Sequence, residues 1–352
     1  MSIEEFIIQD EKLARIAAGK NLQQIEKLFQ KYISKVISLY QNFNGVDTEN
    51  ISPQLKKEIE KLTKQLAFDL ENKINSATKE QWLLAQNTAT KFVETYFDIN
   101  KLNKATQDIF RNNNLENYMQ ARKSRLTQFK LSDRVWKYSK NFETNIIDSL
   151  EIALKNGDSA QVLARDIKQY LNEPEKLFRR VRDVKGQLHL SKNAQAYNPG
   201  QGVYRSAHKN ALRLASTEIN TYYKESENQR WQSMDFVVGF EIKRSNNVFD
   251  CGVCGPLAGK YPKTFKFIGF HVNCRCYQIP ILKPIEMFTD ELKGAVKQDY
   301  SHLGNFQTTE IKEMPTNFKE HLKEKADIYK GYKTVPYWFK LGLSLKVCKF
   351  KN

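Results

Sequence analysis

The sequence predicts a mainly α fold of the α+β class: a long-helix bundle that carries one small antiparallel β-hairpin. Three observations predict it. The first 170 residues hold only Pro53, Gly19, Gly45 and Gly157 as helix breakers, a scarcity that long helices tolerate. Apolar residues in that half recur every three or four positions. Near residue 236 the period drops to two, and four of the five cysteines follow closely.

Residues 1 to about 125 read as long amphipathic helices. Ile25, Leu28, Phe29, Ile33, Val36, Ile37 and Tyr40 form one apolar stripe, and Leu55, Ile59, Leu62, Leu66 and Leu70 form a second. Between them Asn42–Asn50 is turn material. Ser52 followed by Pro53 is a cap with proline at the first helical position. Further on, Gly157 ends one helix and Asp158 or Ser159 caps the next, with Leu163, Ile167, Tyr170 and Leu171 on one side.

From Glu173 to Val203 the pattern weakens. Pro174, the run Arg179–Arg182 and the stretch Ala196–Gly202 suggest an extended arm or long loop. A helix then resumes through Leu212, Ala215, Ile219, Tyr222 and Tyr223 to Trp231. Phe236, Val238, Phe240 and Ile242 alternate as a half-buried strand, Ser245–Asn247 is a turn, and Tyr277–Leu282 is a second strand. Beyond Pro284 lies a basic C-terminal segment with a helix at Phe318–Tyr329 and an aromatic patch at Pro336–Phe339. The expected divisions are 1–125, 126–285 and 286–352.

Composition bounds the partners. Of 352 residues 40 % are hydrophobic, with 21 Phe and 16 Tyr, so a packed core is affordable and wholesale disorder is excluded. The net charge of +16 favours nucleic acid, acidic membranes or an acidic protein. A solvated lysine-rich surface gives the same number. Met1–Arg15 is acidic and lacks an apolar run of secretory length, and nothing approaches the ~20 apolar residues of a membrane span. The expectation is a soluble chain that works where it is made, or is packaged from there.

The concentrated chemistry is Cys251-x2-Cys254, sixteen residues, then His271-x2-Cys274-x-Cys276. Zinc takes four Cys or His ligands tetrahedrally, and two-residue spacers let each half clasp the ion from one tight turn. Gly252 and Gly255 free the first turn, and Gly259, Pro262 and Gly269 make the linker a loop that folds back. Five donors compete for four places. The first set is Cys251, Cys254, His271 and Cys274, and Cys276 is able to replace one of them. Buried reduced thiols and disulfides are the alternatives. Cys348 stands apart. The expected knuckle is thus a structural, zinc-type Cys/His site on the hairpin.

Phosphate-binding, dinucleotide, serine-hydrolase and metalloprotease motifs are missing, and the other histidines are scattered. The expectation is a structural protein rather than an enzyme, with no small-molecule substrate. Arg122, Lys123, Arg125, Lys130, Arg134, Lys137 and Lys140, interleaved with Phe129, Trp136 and Tyr138, form a candidate nucleic-acid-binding stretch. An ordinary solvated helix face is the competing reading.

Phe249–Lys260 followed by His271-Val272-Asn273-Cys274-Arg275-Cys276 resembles the signature of the phage head morphogenesis family, the Mu F-like minor head proteins. Ser216-Thr217-Glu218 resembles the Thr-Glu helix that precedes this motif, although arginine is common where Ser216 stands. Proline is common where Val272 stands. The resemblance is best over about residues 150–285 and weaker over Glu313–Leu341, and the N-terminal helices carry none. It implies a minor capsid protein inside the virion head, assembled in the bacterial host cytoplasm. Portal and capsid proteins are its implied partners, with DNA beside it. A free zinc-containing nucleic-acid-binding protein, or a toxin with a C-terminal effector, are the other readings.

Overall fold

A computed structural model describes residues 2–42, 51–96, 104–128, 130–156, 161–164, 167, 180–182, 185, 187–190, 207–245, 251–283, 310–330, 332 and 335–344. The expected turn at 43–50, the caps at 157–159, the stretch 196–202, Phe129 and Cys348 lie outside the described residues.

Helices dominate, as the apolar stripes require. They are α1 (Ile3–Asn42), α2 (Pro53–Tyr96), α3 (Lys104–Arg111), α4 (Leu115–Gln128), α5 (Leu131–Asn156), α6 (Ala207–Gln232), α7 (Thr316–Lys330) and α8 (Tyr337–Ser344). The Ser52 hydroxyl accepts from the Leu55 amide at 3.2 Å, so the predicted cap of α2 is in place. Asn114 and Lys130 take left-handed conformations (φ 46° and 48°) at the breaks before α4 and α5. No described helix is long and apolar enough to cross a membrane.

Strands β1 (Arg180–Arg182) and β2 (Leu188–Leu190) pair antiparallel within the span read as an arm or loop. The second sheet has three strands rather than a bare hairpin: β3 (Val237–Lys243) lies between β4 (Gly259–Pro262) and β5 (Tyr277–Leu282), all antiparallel. Phe240 faces Tyr261 on one side and Pro280 on the other. The linker read as a simple returning loop therefore contributes an edge strand.

The chain forms two compact units that are interleaved in sequence. The helical unit comprises Ala18–Ala77 and Met119–Glu218. Its core joins Ile25, Phe29, Ile33 and Val36 of α1, Ile59, Leu66 and Leu70 of α2, and Phe142, Ile146 and Leu150 of α5. Phe29 meets Phe142 edge-on with ring centres 5.0 Å apart, and His208 at 4.7 Å. Contacts from Ser132 to Glu71 (2.7 Å) and from Lys56 to Glu151 (3.1 Å) set α2 and α5 antiparallel.

The knuckle unit comprises Met1–Ala17, Thr78–Tyr118 and Ile219–Asn352. One of its clusters packs Phe6, Phe92, Trp231, Phe236 and Phe240. A second gathers Leu257, Tyr261, Phe265, Phe267 and Phe270 with Met314, Phe318, Leu322, Trp338 and Phe339. The C-terminal aromatic patch is thus buried core of the cysteine region.

Candidate metal centre

Each half of the cluster is built by a tight turn. After Cys251 the chain reverses, with the Gly255 amide on the Cys251 carbonyl at 3.0 Å and the Cys254 amide 3.4 Å from the Cys251 Sγ. In the second half the Cys274 amide bonds the His271 carbonyl at 3.1 Å. Asn273 is left-handed there (φ 57°), a conformation that asparagine accepts more readily than most residues. Gly269 (φ 92°) lies so close that a Cβ on it would stand 3.1 Å from the Cys274 Cβ. Cys274 and Cys276 are buried on either side of exposed Arg275, and β5 begins at the next residue.

The five predicted donors converge as two triads that share Cys254: Cys251, Cys254 and His271, and Cys254, Cys274 and Cys276, with the donor atoms of each within 4.8 Å. The His271 Nε2 stands 3.1 Å from Cys251 Sγ and 3.0 Å from Cys254 Sγ. Its Nδ1 is 2.8 Å from the Val272 carbonyl. That contact places the proton on Nδ1 and leaves the Nε2 lone pair facing the thiols, as in metal-bound histidines. Cys254 and Cys274 sulfurs are 3.7 Å apart. Tetrahedral bonds of about 2.3 Å to zinc put two sulfurs about 3.8 Å apart, whereas a disulfide needs about 2.05 Å. All four of these cysteines are free thiols, and within each triad the spacing suits a shared ion.

Charge is arranged for a thiolate. Hydrogen bonds from Cys254 and then Cys276 hold the Cys274 thiol well below its ordinary range, with Lys224 adding to the effect. Cys254 is raised, chiefly by its bond with Cys274. Metal binding replaces these S–H donors, because the thiolate is the ligand.

Several supports were not legible in the sequence. Lys224 of α6 is buried and donates to the Cys274 carbonyl. Arg15 of α1 donates to the Arg275 carbonyl at 3.1 Å and pairs with buried Glu11 at 3.4 Å. Burial pushes the Glu227 carboxyl up to about 8, and the Glu11 carboxyl adds to the rise. Gln278 donates to Glu227 and accepts from Asn228. Thr221 to Asn228 are all buried, although the sequence there is largely polar. The one available signal was Lys224 directly following the core pair Tyr222-Tyr223.

A buried aromatic cluster packs beside the site. The Trp338 indole donates to the Phe270 carbonyl at 2.8 Å, and the Tyr337 hydroxyl accepts from the Ile268 amide at 3.2 Å. Three of the five donors are buried, Cys251 is half-buried and His271 is exposed.

The predicted nucleic-acid stretch does not form one surface. Arg125 is buried and lies 4.0 Å from Glu218, so its charge is spent inside the helical unit and the sequence assignment is corrected. This also places the Glu of the Thr217-Glu218 pair in a structural role. Lys140 pairs with Glu143 at 2.5 Å, and Arg122 is half-buried. Lys123, Lys130, Arg134 and Lys137 are exposed. The left-handed Lys130 breaks the stretch into two helices, and at 100° per residue Arg134 and Trp136 project to nearly opposite sides of α5.

No protein-family model matches the sequence, and neither the curated proteins nor the solved structures contain a match to it.

Proposed function

We propose that this chain is a minor head protein of the Mu F-like kind, a structural component that acts beside the portal during phage head assembly. One zinc held by Cys251, Cys254, His271 and Cys274 would lock its knuckle. The observation that carries this reading is the construction of the H-x-N-C-R-C segment. Its left-handed asparagine, its carbonyl-oriented histidine and its paired cysteines meet the C-x-x-C turn beside a buried aromatic cluster. Sulfur-rich tetrahedral sites of this kind suit zinc and contribute folding free energy directly. In this reading Cys276 donates its S–H to the Cys274 sulfur and stays outside the ligand set.

The implied partners are portal and capsid proteins, with packaged DNA nearby. The implied place is the virion head, reached from the host cytoplasm. Co-expression with the portal and major capsid proteins of the same gene cluster tests it. The expected result is incorporation into particles that survives about 1 M salt, where ionic contacts are screened within about 3 Å. A chain that stays out of the particles overturns the reading. One that instead binds naked DNA alone supports the nucleic-acid alternative, and arrest of bacterial growth on expression alone supports the toxin alternative.

A further inference from the structure

Between Lys12 and Asn42, helix α1 carries Lys12, Arg15, Lys20, Lys27, Lys31 and Lys35 against a single acid, Glu26. Lys20, Lys27, Lys31 and Lys35 belong to the helical unit and are all exposed. At 100° per residue their directions fall within about 80° of arc, opposite the buried stripe of Ile25, Phe29, Tyr32 and Val36. Exposed Gln24, Ser34 and Ser38 lie on or beside that face, whereas half-buried Glu26 stands about 100° from the nearest of these lysines, on the side of buried Ile33 and Ile37.

Several other helix lysines are neutralised nearby, whereas Lys57, Lys79, Lys91, Lys123 and Lys137 are exposed without an ion pair among the described residues, so the α1 four are set apart by their shared face. Lys61 pairs with Glu58 at 2.6 Å, Lys64 with Glu60 at 3.2 Å, Lys104 with Asp108 at 3.2 Å and Lys140 with Glu143 at 2.5 Å. None of the four α1 lysines has an ion-pair partner among the described residues. Lys27, Lys31 and Lys35 even stand at i, i+4 spacing, where like charges repel one another and weaken the helix. A polyanion lying along this face relieves that repulsion.

The row spans about 22 Å, or roughly six base pairs of duplex axis. Each flexible lysine stem reaches the nearest phosphate, and the Gln24 amide adds a neutral donor of the kind that contacts DNA backbones. The Ser34 and Ser38 hydroxyls donate instead to the Gln30 and Ser34 carbonyls. The face offers no exposed aromatic ring among the described residues, so it lacks the stacking platform that single strands use. The apolar face of α1 is consumed by the core from Ile25 onward, which removes the face that would insert in a lipid surface.

We propose that Lys20, Lys27, Lys31 and Lys35 form a sequence-independent track for the phosphate backbone of duplex DNA. The track is separate from the knuckle and stands whether or not the head-assembly reading does. It takes the place of the α4–α5 stretch, whose Arg125 and Lys140 are already paired.

The test uses the full chain with all four lysines changed to Gln, which keeps helix propensity on an exposed face. Binding of a labelled mixed-sequence duplex is measured between about 50 and 200 mM salt. The expected result is at least a tenfold weaker complex at low salt, with a log K against log salt slope shallower by about 0.9 per lysine that contacted a phosphate. A control with equal charge loss, Lys56→Gln, Lys61→Gln, Lys64→Gln and Lys140→Gln, is expected to change both far less. Coincident thermal melts by circular dichroism verify that the fold is kept. Equal losses in the two variants, or no loss in the first, overturn the proposal. So does a first variant that loses binding to phosphatidylserine vesicles, or to an acidic peptide, while holding the duplex as before.

Discussion

In the helical unit, helices of 26 to 44 residues contribute to the packing, and Phe29 meets Phe142 and His208 between them. In the knuckle unit, strands of four to seven residues are joined by turns, and Trp338 closes on the Phe270 carbonyl. The difference lies in where backbone groups find partners. A long helix satisfies its own amides and carbonyls, so an apolar stripe is enough to hold it. Short strands and turns leave groups over, and side chains must reach them. Asn228 and Gln232 donate to the Phe265 carbonyl, Lys263 to Met234, Arg15 to Arg275 and Lys224 to Cys274. Order in the knuckle unit therefore depends on individual contacts around a cluster of thiols, whereas in the helical unit it is spread over many methyl groups.

The sharpest break should come at Cys254, the donor common to both triads. Cys254→Ser is expected to abolish metal binding and melt the knuckle, a loss on the order of 10 kcal/mol for a structural zinc. Cys276→Ser is expected to keep about one zinc per chain. Metal analysis of the purified variants with near-ultraviolet dichroism reads both, and loss of metal on Cys276→Ser would move that residue into the ligand set. The next effect separates the units. Trp338→Ala and Phe142→Ala should each cost about 3–5 kcal/mol in stability. Only the first is expected to speed zinc release to a chelator, so equal release from both would erase the contrast drawn above. The smallest effect is Ser52→Ala, which removes one helix cap for about 1 kcal/mol and should leave metal retention unchanged in the same assay.

Periodicity made the helices legible because the signal is local. The stripes from Ile25 to Tyr40 and from Leu55 to Leu70 are buried as their spacing requires, and Ser52 caps α2. The alternation from Phe236 to Ile242 became β3, and the spacing of cysteines brought five donors together. What stayed hidden depends on distant partners. Gly259–Pro262 reads as a loop, yet it pairs as a strand because Tyr261 finds Phe240. Lys224 to Asn228 looks like helix surface, and it is buried where side chains meet the donors and acceptors of the knuckle. Arg125 counted as free basic charge until Glu218, far along the chain, was found beside it. Nor does any local pattern announce that one continuous helix will serve two packing units.

That interleaving sets a timetable for synthesis. Every residue of the helical unit has been synthesised by Glu218, before Cys251 exists, so that unit is able to fold while translation continues. Phe6 has Phe92 and Tyr96 early, but its cluster is completed only by Trp231, Phe240 and Tyr277, and the cysteine cluster only by Trp338. The chain's earliest apolar residues thus belong to a core that is completed late, after the helical unit is available to fold.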